Sequence, residues 1–176
     1  MTRAVIDTNV LLVANGDHED ASEDCAINCL ETLETIRTQG IAVIDSDWRI
    51  IREYQDNIPT KGQPGPGQVF LKWLLQRRAT ASQVVEVALT ENSPDRFEEF
   101  PDKDLEPHFD PPDRKFVAVA AADGNAVIKQ AVDCKWLDWW QQLSQGGVTV
   151  HFLCPDDVCR YYRNKFNISP PHLPEP

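Results

Sequence analysis

The sequence predicts an α/β fold built around a mostly parallel sheet. Short apolar, β-branched runs recur at residues 4–6, 41–44, 126–132 and 148–153, spaced too widely for hairpins. Helical periodicity fills the stretches between them, the alternation that gives a parallel sheet covered on both faces. Asp7, Asp45 and Asp133 each follow one of these runs. Right-handed crossovers gather the carboxyl ends of such strands along one edge, where open α/β sheets hold their ligands.

Ala4-Val5-Ile6 reads as a buried strand and Asp7-Thr8-Asn9 as the turn into a helix beginning with Val10-Leu11-Leu12. Residues 21–39 carry Ala26, Ile27, Leu30, Leu33 and Ile36 at helical spacing, with Gly40 just beyond. After the strand 41–44, a helix is expected over 47–57, ended by Pro59. The Gly/Pro-rich loop 60–67 lacks phosphate-loop spacing, which excludes a nucleotide cradle. A helix over 68–78 ends in Arg77-Arg78, as the dipole favours. Residues 84–89 read as a short extra strand and 92–110 as an acidic, proline-punctuated connection. Pro111-Pro112-Asp113 opens a helix running to Gly124. The strand 126–132 leads through Asp133 into a Trp-rich helix with Trp136, Trp139 and Trp140, whose spacing suits core or interface. A last strand and a helix over 156–165 complete the domain, 1–166. The proline-rich tail, 167–176, is expected to be flexible.

The chain has 176 residues, 41% of them hydrophobic and 26% charged, ordinary values for one globular domain. No apolar run approaches the roughly 18 residues of a membrane span, and no basic leader precedes an apolar stretch. A cytoplasmic protein is the expectation. The five cysteines lack zinc-site spacing and read as reduced packing thiols. A net charge of −11 argues against a nucleic-acid partner. The excess is uneven, however. Residues 1–60 hold twelve acids and four bases, while 110–176 hold eight and seven. Seven acids without a base fall between Asp17 and Glu34, as a solvated helix face would.

The acids converge. Asp7, Asp45 and Asp133 are candidates for one rim, Asp113 starts a helix aimed at it, and Glu53 lies two turns into the helix after the second strand. Crowded carboxylates raise one another's pKa unless a cation neutralises them, and hard oxygen ligands suit Mg²⁺ or Mn²⁺. Such an ion lowers the pKa of bound water and clamps a phosphate oxygen. Asp113 and Asp133 are equally readable as helix caps, Asp45 as mainly structural, and Glu53 as a partner of neighbouring arginines. Asp7, between two apolar runs, resists such an account. Lys115, Arg114 and Lys135 adjoin the acids and are the best candidates for phosphate contacts, with Tyr161 and Tyr162 available for stacking.

This order and spacing resembles the PIN-domain family of metal-dependent ribonucleases. The matching pieces are Val5-Ile6-Asp7-Thr8-Asn9-Val10-Leu11-Leu12, Glu53 within Ile50-Ile51-Arg52-Glu53-Tyr54, Asp110-Pro111-Pro112-Asp113-Arg114-Lys115-Phe116, and Val132-Asp133. The resemblance covers about residues 3–155 and implies a three-layer α/β/α sandwich with an acidic pocket. By position Asp7, Glu53 and Asp113 would hold Mg²⁺ or Mn²⁺, and Asp133 would be the fourth acid. Asn9, with Thr8 beside it, would support Asp7. The implied activity is hydrolysis of single-stranded RNA by a metal-activated water. A toxin-like or defence-related role, an antitoxin or other protein partner, and a homodimer are implied as well. The chain departs from the family at Lys135, where a further acid is common, and in segment 62–109, which reads as an elaboration of the domain. A PIN-like module that binds or assembles without cutting is the alternative. A phosphoacceptor receiver fits poorly, because it leaves Glu53 and Asp113 unexplained.

Overall fold

The computed structural model describes residues 1–59 and 62–174. Part of the loop 60–67 and the end of the tail lie outside the described residues. Five parallel strands form the central sheet: β1 (Arg3–Ile6), β2 (Ile41–Asp45), β3 (Val84–Val87), β6 (Val127–Gln130) and β7 (Thr149–Phe152), in the order β3-β2-β1-β6-β7. The chain steps outward from β1 to β2 and β3, then returns to the other side of β1 for β6 and β7. Connections of one hand therefore lay helices on opposite faces. Helices α1 (Thr8–Asn15), α2 (Glu23–Gln39) and α4 (Pro66–Arg77) pack on one another on one side. Helix α5 (Arg114–Asp123) crosses β1, β2 and β6, and α6 (Trp140–Gln145) lies on β7. The result is a three-layer α/β/α sandwich. Its strand order reverses between β1 and β6, and the crevice at such a reversal is where this architecture places ligands.

Local chemistry accounts for most boundaries. Asp7 caps α1 by accepting from the Asn9 amide, and Gly16, at φ 76°, ends that helix in the left-handed region. Asp45 is fully buried and accepts from the Arg49 and Ile50 amides at 2.8 and 2.9 Å. It starts α3 (Arg49–Asn57), whose own first position, Trp48, offers no side-chain cap. This is the structural role its neighbours suggested. The small-residue helix α5 is buried from Arg114 to Ala120, so it lies flat on the sheet.

Three elements differ from expectation. The strand expected over 126–132 stops at Gln130, because the Ala131 and Val132 amides turn to the Asn9 side chain. The Trp-rich helix is broken into a 3₁₀ turn (Cys134–Asp138) and α6, with Trp136 and Leu137 both buried. Within the 92–110 connection lies a hairpin of β4 (Glu91–Ser93) and β5 (Arg96–Phe97), turned by Asp95 at φ 55°. Its strands are too short for any alternation to show. Segment 62–109 contributes α4 to a helical layer and β3 to the central sheet.

Two expectations are corrected. Cys25 and Cys154 form a disulfide that ties the start of α2 to α7 (Pro155–Phe166), rather than packing as free thiols. Cys29, buried beside them, sits 3.9 Å from the Cys154 sulfur. The tail is not loose throughout: the Trp140 indole donates to the His172 carbonyl at 2.8 Å, and Leu173 packs against the core. No helix among the described residues is long and apolar enough to cross a membrane.

Candidate metal centre

Asp7 leaves the carboxyl end of β1 and is 4% exposed. One of its oxygens accepts from the Asn9 backbone at 2.9 Å and from the Asn9 side chain at 2.5 Å. Asn9 in turn reaches β6, donating to Gln130 and accepting from the Ala131 amide at 3.0 Å. Asn9 thus fixes Asp7 across the β1–β6 crevice. The buried Tyr54 hydroxyl donates to the Ile6 carbonyl, so α3 is fastened to the same strand end. One turn of that helix brings Glu53 to the rim, where it accepts from the Thr8 hydroxyl and from Lys115.

The tightest grouping is Asp110, Asp113 and Asp133, each offering an oxygen within 4.8 Å of the others. Asp113 caps nothing with its side chain. That removes the capping account of it. Asp133 does cap, accepting from the Lys135 amide at 3.1 Å, which occupies one of its two oxygens. Asp110 was not singled out from sequence. A readable signal existed: Asp110 and Asp113 are three apart across a 3₁₀ turn (Pro111–Asp113), which repeats every three residues and aligns them. Aromatic packing anchors the approach to that turn, with Phe109 against Trp136 and Trp139 at centroid distances of 5.0 and 4.2 Å.

Burial and mutual repulsion define the electrostatics. Burial, then the facing charge of Asp113, holds the Asp7 carboxyl well above the usual carboxylate range, against the pull of the Asn9 amide. Burial, then Asp133, Glu53 and Asp110, pushes Asp113 up to about 7 although Lys115 opposes the shift. Asp133 is also raised, mainly by burial. Asp7, Asp113 and Asp133 therefore share a crevice in which their charges are poorly solvated. The residues present fit a hard divalent cation, which would replace the protons those carboxyls otherwise retain.

Two lysines already meet part of the demand. Lys115 contacts Glu53 and the Pro112 carbonyl, and Lys135 contacts Asp110, its ammonium stabilised chiefly by that carboxylate. Neither ion pair is with Asp7 or Asp113. Arg114 departs from the phosphate role suggested by its position. It is 7% exposed, and its guanidinium donates to the carbonyls of Phe109 at 2.9 Å and Asp95 at 3.3 Å. It pins the hairpin and the loop before Asp110, and holds no free donor face toward the crevice.

Grooves lie on both sides. One, of about 360 Å³, is lined by Asp133, His18, Tyr161, Asn164 and Lys165. The other, of about 290 Å³, is lined by Glu53, Lys115, Arg49 and Arg52. Tyr162 is instead buried, donating to Asp138 at 2.6 Å, and so is withdrawn from stacking. No protein-family model, no curated protein and no solved structure matches this chain.

Proposed function

We propose that the protein is a PIN-like, Mg²⁺- or Mn²⁺-dependent endoribonuclease acting on single-stranded RNA. The observation that carries the reading is the convergence of Asp7, Asp110, Asp113 and Asp133 at the reversal of strand order, where burial and mutual repulsion raise the proton affinity of Asp7, Asp113 and Asp133. Asp113 and Asp133 would hold the ion, with Asp7 and Glu53 completing the acidic wall. The bound ion supplies a lowered water pKa and a clamp for a phosphate oxygen.

The chain's own groups do the rest. Asn9 holds Asp7 in one orientation, and Thr8 does the same for Glu53. Lys115 and Lys135 stand at the rim to meet a phosphodiester backbone. Tyr161 and His18, edge to face at 5.5 Å, offer an aromatic surface beside Asp133, and Lys165 a cation. A net charge of −11 confines RNA binding to this local basic fringe. A cytoplasmic site of action belongs to the same proposal, and there the Cys25–Cys154 bridge would meet reducing conditions. A toxin-like or defence role, with an inhibitory partner or a second copy, is part of the proposal that the family resemblance supplies.

Titrating Mn²⁺ tests the reading. The expected result is a rise in melting temperature that is lost in Asp113→Asn, together with metal-dependent cleavage of unstructured RNA lost in Asp7→Asn. A second reading is favoured by the ion pairs Lys115–Glu53 and Lys135–Asp110: lysines in place of a metal, in a domain that binds without cutting. No thermal response to Mn²⁺, with RNA left intact, would establish that alternative.

A further inference from the structure

On the face of the sheet that α2 covers, a separate pocket of about 430 Å³ opens between that helix and the β6–β7 edge. Lys129 and His151 stand directly opposite each other in the parallel register of those strands. The Lys129 ammonium lies 2.8 Å from His151 Nδ1. Asn28, Thr32 and Thr35 of α2 and Thr2 line the walls. Among the described residues Lys129 forms no ion pair, although the chain carries eleven more acids than bases. Glu31 is the one carboxylate among the lining residues; it is exposed and is not hydrogen-bonded to either base.

Two basic side chains in contact repel when both carry a proton. Here partial desolvation lowers the proton affinity of the half-buried Lys129, and partial desolvation together with Lys129 lowers that of His151, which is otherwise exposed. With the Lys129 ammonium donating to the His151 ring, the pair holds one positive charge that no carboxylate meets among the described residues, and the hydroxyls on the wall are donors suited to oxyanions. A phosphate monoester matches this best, because its dianion balances the Lys129 ammonium and an imidazolium at His151 together.

We infer that Lys129 and His151, with the α2 wall, form a binding site for a small phosphate-bearing anion, distinct from the acidic crevice. The volume leaves room for more than the phosphate itself. Binding draws a proton onto His151, because the dianion stabilises imidazolium beside the ammonium.

Ring NMR of His151 in chloride and in millimolar inorganic phosphate tests this on the intact chain. Phosphate is expected to raise the His151 proton affinity at least tenfold, saturably, while the three other histidines stay unmoved. Lys129→Met and His151→Gln should abolish phosphate binding in titration calorimetry, and Glu31→Gln should strengthen it by removing a repelling charge. Adenosine 5′-monophosphate serves as the second arm. Tighter binding than inorganic phosphate assigns the site to nucleotides, and equal binding assigns it to phosphate alone. An unmoved His151, or a phosphate response that survives Lys129→Met, overturns the proposal. So does a Glu31→Gln variant whose His151 titration collapses without phosphate, since Glu31 would then be the resident counter-ion. Asp113→Asn should leave all of this intact, which separates the outcome from that of the nuclease reading.

Discussion

At Asp113, burial and the neighbouring carboxylates push the carboxyl up to about 7 from a usual value of 3.8. In that window the folded chain keeps a proton that the unfolded chain has released, so stability falls as pH rises from about 4 to 7. Each pKa unit corresponds to about 1.4 kcal/mol. Calorimetry in chelator should show the melting temperature of the wild type dropping across this range relative to that of Asp113→Asn, with Mn²⁺ reversing the drop. A parallel pair of curves would mean that Asp113 is solvated after all. At this scale the sequence singled out Asp7, an acid between apolar runs, but not its second role: the same carboxylate caps α1 through the Asn9 amide, the account it was expected to resist. Asp110, a carboxylate before two prolines, reads as loop, and its place among the acids depends on the 3₁₀ turn that follows it. Arg114 misled for a related reason. A base beside acids suggests phosphate, and its residue type does not reveal that the carbonyls of nearby Phe109 and of the more distant Asp95 would claim its guanidinium.

Among the elements, α3 depends on one carboxylate. Asp45 satisfies two amides at the start of that helix while fully buried, so Asp45→Ala orphans two donors in the interior. A loss of about 2–3 kcal/mol is expected in urea denaturation, with Mn²⁺ binding retained if Glu53 keeps its place. The parallel strands were legible as unbroken apolar runs, because both their faces are buried, and the long helices because burial of one face imposes a period. The β4–β5 hairpin and the break before α6 were not. Both are set by contacts distant in sequence: the Arg49–Glu91 ion pair at 2.8 Å in one case, and the burial of Trp136 under Phe109 in the other.

For the molecule as a whole, the reversal of strand order places the acidic crevice, while the disulfide governs how the periphery holds together. Cys25 and Cys154 are 129 residues apart, so their bond shortens a very long loop in the unfolded chain. Reduction, or Cys25→Ser, should lower stability by about 2–5 kcal/mol, read as a lower melting temperature in the presence of a thiol reductant. Equal melting temperatures with and without reductant would show that the bond contributes nothing in solution. The fold class was visible in the sequence, but this pairing was not, since five cysteines at irregular spacing carry no connectivity.

That same bond makes the protein tolerant of a broken backbone. A protease that nicks the exposed strand β4 would sever the peptide chain, yet the two pieces would stay fastened through sulfur. Such a clipped molecule would migrate as an intact species until a thiol released its halves.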